Sequence, residues 1–117
     1  MKVLLVDDEE ELVTALAERL SFRGIDADWS TSGNEALKLA RAHTYDVAVL
    51  DIKMPNISGI DLKKRLEKMR PDMKYIFLTG HGSEEDFRAG SAEASQYLVK
   101  PLDIEVLIET MREVVEP

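Results

Sequence analysis

Val47-Ala48-Val49-Leu50 is a run of four apolar residues that passes without alternation into a single carboxylate, Asp51. A strand with one wet face alternates apolar with polar residues, whereas a short unbroken run signals a strand covered on both faces, as in the parallel sheets of α/β proteins. The charge comes at the C-terminal end of the run. Open α/β sheets bind ligands in the crevice beyond the carboxyl ends of their strands, so an acid placed there is a candidate site residue before any motif is considered.

The same grammar recurs along the chain. Lys2–Val6 meets the acids Asp7, Asp8, Glu9 and Glu10, Tyr75–Leu78 ends in Thr79, and Tyr97–Val99 ends in Lys100-Pro101. Ile25–Trp29 alternates instead, which predicts an edge strand, with Trp29 as a packing residue. Between these runs lie helical stripes. Leu12, Ala15, Leu16 and Leu20 form the first, stopped by Gly24. Ser32 and Glu35 have capping-box spacing ahead of Ala36, Leu37 and Ala40, with the helix starting near Gly33. Ser58 caps a helix carrying Leu62, Leu66 and Met69, whose opposite face of Lys63, Lys64 and Lys68 is expected to be solvated. Asp103 caps a last helix with Ile104, Leu107, Ile108, Met111 and Val115 on one face. Glu84–Ala94 is the weakest helical segment, because Gly90, Ser91 and Ser95 favour a short or frayed turn. Five strands alternating with five helices predict a doubly wound parallel sheet with right-handed crossovers.

A chain of 117 residues is expected to form one domain, 1–117, with no output domain and a core that needs no disulfide or structural metal. It has no cysteine, which excludes thiol chemistry, and its net charge of −8 argues against a nucleic-acid surface and for cationic partners. No apolar run has the length of a membrane span, and the N-terminus has no signal-peptide pattern, so a cytoplasmic location without membrane contact is expected.

In a parallel sheet all the carboxyl ends face one side, which gathers Asp7, Asp8, Asp51, Thr79 and Lys100 at one crevice. Clustered carboxylates repel and raise one another's pKa unless a cation favours their ionised forms. A hard divalent ion such as Mg²⁺ suits them, since it prefers oxygen ligands and is commonly held by one or two carboxylates and a phosphate. With an ammonium and a hydroxyl added, the set matches what transfer of a phosphoryl group to a carboxylate requires. Asp51 stands alone on its strand and is the candidate nucleophile. Asp7 and Asp8 are adjacent and suited to sharing a metal, although acids there also fit a helix N-terminus.

The motifs Val3-Leu4-Leu5-Val6-Asp7-Asp8-Glu9, Leu50-Asp51-Ile52-Lys53-Met54-Pro55, Leu78-Thr79-Gly80 and Tyr97-Leu98-Val99-Lys100-Pro101 together resemble the receiver domain of bacterial two-component response regulators. The resemblance spans essentially the whole chain. It implies a flavodoxin-like (βα)5 sheet in the order 2-1-3-4-5 and phosphorylation of Asp51 by a histidine kinase or histidine phosphotransfer protein. It further implies Mg²⁺ held by Asp8, Asp51 and the Lys53 backbone carbonyl, with Asp7 acting largely through water. Thr79 and Lys100 would contact the phosphoryl oxygens. Thr79 and Tyr97 would switch together, reshaping the face of the fourth helix, fifth strand and fifth helix for an effector. The chain would catalyse its own phosphorylation and slow autodephosphorylation, and Lys100-Pro101 would be a cis peptide. Two departures fall beside the weak helix: the Thr79–Lys100 interval is one residue shorter than the family pattern, and Glu93 replaces a common glycine before Ala94. The 84–94 segment is therefore expected to be mobile, and His81 is an additional candidate for positioning the hydrolytic water.

Three other classes of protein would need different residues at these positions. A haloacid-dehalogenase-like phosphatase would place a second aspartate two residues after the nucleophile, where this chain has Lys53. A flavodoxin-type cofactor site wants hydroxyls and glycines after the first strand, where this chain has acids. A pseudo-receiver acting only as an interaction module would be expected to have lost part of the constellation, and all of it is present.

Overall fold

The computed structural model describes residues 1–80 and 96–116. Five strands, β1 (Lys2–Val6), β2 (Asp26–Ser30), β3 (Val47–Asp51), β4 (Lys74–Thr79) and β5 (Gln96–Val99), form one parallel sheet in the order β2-β1-β3-β4-β5. The described helices are α1 (Glu10–Ser21), α2 (Gly33–Ala42), α3 (Gly59–Met69) and α4 (Ile104–Val115). The helix expected over 84–94 and the candidate His81 lie outside the described residues, so the fifth helix of the sequence reading is α4 here.

Each central strand serves two cores at once. Leu4, Val6, Ala48, Leu50, Tyr75 and Phe77 face Ala36, Leu37 and Ala40 of α2 and Leu62 and Leu66 of α3. The alternate residues Val3, Leu5, Val47, Val49, Ile76 and Leu78 face Val13, Leu16 and Leu20 of α1 and Leu107, Ile108 and Met111 of α4. With successive side chains pointing to opposite faces and both faces covered, every residue of β3 is buried, which is why its sequence does not alternate. Truncating one fully buried leucine such as Leu66 to alanine would cost about 2–5 kcal/mol.

Caps fix where the helices begin. The hydroxyl of Ser32 accepts the Glu35 N–H at 3.2 Å, that of Ser58 accepts the Asp61 N–H at 3.1 Å, and the Asp103 carboxylate accepts the N–H groups of Glu105 and Val106 at 2.8 and 3.2 Å. Gly24, at φ +76°, follows the end of α1 in the left-handed region that glycine favours. Lys100-Pro101 is cis.

Three expectations are corrected. Trp29 is 38% exposed rather than packed: it lies on the edge strand β2, where only one neighbouring strand, β1, flanks it. Lys63 is buried rather than solvated. Its ammonium lies 5.4 Å from the centroid of the Tyr75 ring and 3.2 Å from Glu67 Oε2, so the apolar stem joins the α3 core while the charge keeps a partner. On α1 the buried row is Val13, Leu16 and Leu20, with Leu12 only partly buried.

Candidate functional site

The register of the sheet assembles the site. Val6 of β1 pairs with Leu50 of β3, so Asp7 and Asp51 leave their strands at the same level. The Asp7 N–H continues the ladder to the Ser30 carbonyl at 3.2 Å, and the Lys100 N–H continues it to the Thr79 carbonyl at 2.8 Å. Asp7 and Asp51 are buried and Asp8 is exposed, and the three each offer a carboxylate oxygen within 4.8 Å of the others.

Lys100 reaches into this group from the end of β5, two strands from Asp51. Its Nζ lies 2.6 Å from Asp7 Oδ2, 3.1 Å from Glu9 Oε1 and 3.6 Å from Asp51 Oδ2. Asp7 Oδ1 accepts the Glu9 N–H at 2.9 Å, and the Asp51 carboxylate accepts a backbone N–H from Lys53. Thr79 is fully buried, and its hydroxyl donates a long hydrogen bond of 3.5 Å to the Leu98 carbonyl. Tyr97 sits on β5, 46% exposed and opposite Phe77 in register.

Burial dominates the electrostatics. It pushes the Asp51 carboxyl up to about 7, with the Asp7 charge adding to the rise, Lys100 opposing it and Asp8 adding a little more. Burial likewise raises Asp7 above the usual carboxylate range, despite the hydrogen bond and charge of Lys100. On Lys100, burial pulls downward, but Asp7, Asp51 and Glu9 outweigh it and hold the ammonium above its ordinary value.

Four clustered carboxylates, three of them paired with one ammonium, leave an excess of negative charge that a cation would relieve. Oxygen ligands around an octahedral Mg²⁺ at about 2.1 Å lie about 3–4 Å apart, so the Asp7, Asp8 and Asp51 oxygens need little movement to share one ion. The cluster has the chemistry of a divalent-metal site.

Two neighbours that complete the site carry little mark of it in the sequence. Gly59, the first residue of α3, donates its N–H to the Ile52 carbonyl at 2.9 Å, and a Cβ there would collide with the Asp51 backbone carbonyl. The signal for it was a glycine directly after the capping Ser58. Glu9 supplies a third acidic partner to Lys100; a residue in a block of acids carries no mark that separates it from its neighbours.

A doubly wound sheet of this order, with an acid cluster at the ends of β1 and β3 and a lysine at the end of β5, is the architecture of a flavodoxin-like receiver. The family model for the response regulator receiver domain matches residues 3–112, and the chain belongs to that family. The response regulator MprA of Mycolicibacterium vanbaalenii is 34% identical over 113 residues, covering 96% of this chain and 49% of MprA. The chain therefore spans about half the length of the curated relatives it matches. Among solved structures, the chemotaxis protein CheY4 of Vibrio cholerae superposes with a TM-score of 0.87 at 30% identity, covering 97% of each chain. A response regulator from Burkholderia pseudomallei, solved with a phosphorylated aspartic acid, a calcium ion and citrate, gives 0.85 at 31% identity, covering 94% of this chain and 65% of that one. No described helix is long and apolar enough to cross a membrane.

Proposed function

We propose that Asp51 is the phosphoryl acceptor of a two-component pathway, taking the group from a phosphohistidine on a histidine kinase or phosphotransfer protein in a Mg²⁺-dependent reaction. The observation that carries this reading is the buried Asp51 carboxylate, held at a strand end beside Asp7, Asp8 and the Lys100 ammonium.

A carboxylate oxygen of Asp51 attacks phosphorus in line, the P–N bond of the donor breaks, and its electron pair returns to the imidazole nitrogen. Lys53 keeps the carboxylate oriented through its N–H, leaving an oxygen for attack. Lys100 stands close enough to follow the negative charge from Asp51 onto the phosphoryl oxygens. Thr79 would exchange its long bond to Leu98 for one to a phosphoryl oxygen. Asp7, Asp8, Asp51 and the Lys53 carbonyl would hold Mg²⁺, which when bound neutralises the carboxylates and the transferred group. Lys53 also stands where a phosphatase would carry its second acid, which favours a slow switch over a turnover enzyme.

Thr79 and Tyr97 lie on paired strands, and their joint movement would reshape the face of β5 and α4 toward an effector, with no direct nucleic-acid contact by this domain. Such partners support a cytoplasmic location. Incubation with Mg²⁺ and a small acyl-phosphate donor, read by intact mass, tests the reading. The wild type should gain one phosphoryl group and Asp51→Asn none; a folded wild type that gains nothing would move the assignment to an interaction module.

A further inference from the structure

Lys100 cannot sit equally close to all its acids, and the order of its distances matters. Asp7 holds it most tightly, Glu9 next, and Asp51, the proposed reacting group, stands farthest at 3.6 Å. The resting ammonium thus stands closer to Asp7 and Glu9 than to the carboxylate it would have to serve.

We propose that Glu9 is a positioning residue that holds Lys100 back from Asp51 and thereby sets the rate at which Asp51 reacts, an inference that rests on the acceptor reading above. The Glu9 backbone is fixed at both ends: its N–H is held by Asp7 Oδ1 at 2.9 Å, and its carbonyl accepts the Leu12 and Val13 N–H groups at 3.0 and 3.2 Å as α1 begins. The side chain therefore starts from a set point beside the strand ends. Its carboxylate is 65% exposed, against 17% for the Lys100 side chain. A buried partner such as Asp7 is expensive to desert, whereas an exposed partner lets go at little cost. Glu9 is the adjustable member of the trio, and its hold is sensitive to screening by salt.

The test compares Glu9→Gln with Glu10→Gln, which removes the same charge one residue on, from a group with no ion pair to Lys100 among the described residues. Phosphorylation is measured at saturating acyl phosphate and Mg²⁺, so that steering of the anionic donor enters KM and the position of Lys100 enters the saturated rate. Glu9→Gln should react about threefold faster at low salt, the size expected of one exposed ion pair. That advantage should shrink toward parity at about 0.5 M salt. Glu10→Gln should keep the wild-type saturated rate. In metal-free protein the Lys100 Nζ resonance should move on Glu9→Gln and stay in place on Glu10→Gln. A Glu9→Gln rate at or below wild type, a salt-independent advantage, or an unmoved Lys100 resonance overturns the role of Glu9 alone. A wild type that gains no phosphoryl group overturns the acceptor reading and the role of Glu9 with it.

Discussion

The N–H of Gly59 meets the carbonyl of Ile52 at 2.9 Å, and this contact brings the start of α3 against the backbone of the strand that ends in Asp51. A side chain at Gly59 would run into the Asp51 carbonyl oxygen. Gly59→Ala should therefore cost about 1–3 kcal/mol through forced backbone movement. Urea denaturation measures it; a midpoint equal to wild type would show that the loop yields freely.

Lys100→Ala leaves the fully buried Asp7 without its counter-charge. In metal-free protein near neutral pH the expected loss is about 3–5 kcal/mol, the cost typical of breaking a buried pair from one side. Adding Asp7→Asn should recover much of it. Strictly additive losses in the double-mutant cycle would mean that the two groups are not coupled.

Asp51 makes metal-free stability depend on pH. Its folded-state carboxyl is raised from 3.8 to about 7, so between those values the folded state keeps a proton that the unfolded state has released. Stability is then highest below the unfolded value and is lost as pH rises through about 7. Asp51→Asn removes that dependence. In chelator, the variant should be more stable than wild type at alkaline pH, by at most on the order of 4 kcal/mol, with the difference closing toward pH 4. Thermal melts across that range check the sign, and a gap that widens on acidification would refute it.

Metal binding should compete with the same proton. Mg²⁺ affinity is expected to rise about tenfold per pH unit below the Asp51 titration and to level off above it. At a hundredfold excess of Mg²⁺ over its dissociation constant, the fold should gain about 2.7 kcal/mol, and a chelator should remove that gain. Calorimetric titrations at several pH values, paired with melts, test both. The gain should be largely absent in Asp8→Asn.

Much of this architecture was legible because its signals are local. Unbroken runs such as Val47–Leu50 mark a doubly covered strand, and Ser32, Ser58 and Asp103 mark helix starts by chemistry that acts within one turn. The gathering of Asp7, Asp8, Asp51 and Lys100, and the place of Thr79 at the end of its strand, followed from strand polarity alone. Lys63 was misread because its burial depends on Tyr75, which a helical wheel does not contain. The exposure of Trp29 depends on what covers each face of an edge strand, which alternation along that strand does not reveal. Glu9 takes its meaning from a contact across the sheet to Lys100 that leaves no trace in residue spacing, and Gly59 from the close return of the chain onto Asp51 and Ile52, marked only by a glycine after the capping Ser58.

The backbone bond from Lys100 to Thr79 joins two tasks in a single link. Lys100 meets the acids through its side chain, while its N–H closes the last rung between β4 and β5. A pull on the ammonium is a load on that rung, and the adjoining β5, with Tyr97 and Val99 about half exposed, is lightly braced compared with the fully enclosed β3. Strain originating at the acids would find its compliant outlet at this border of the sheet.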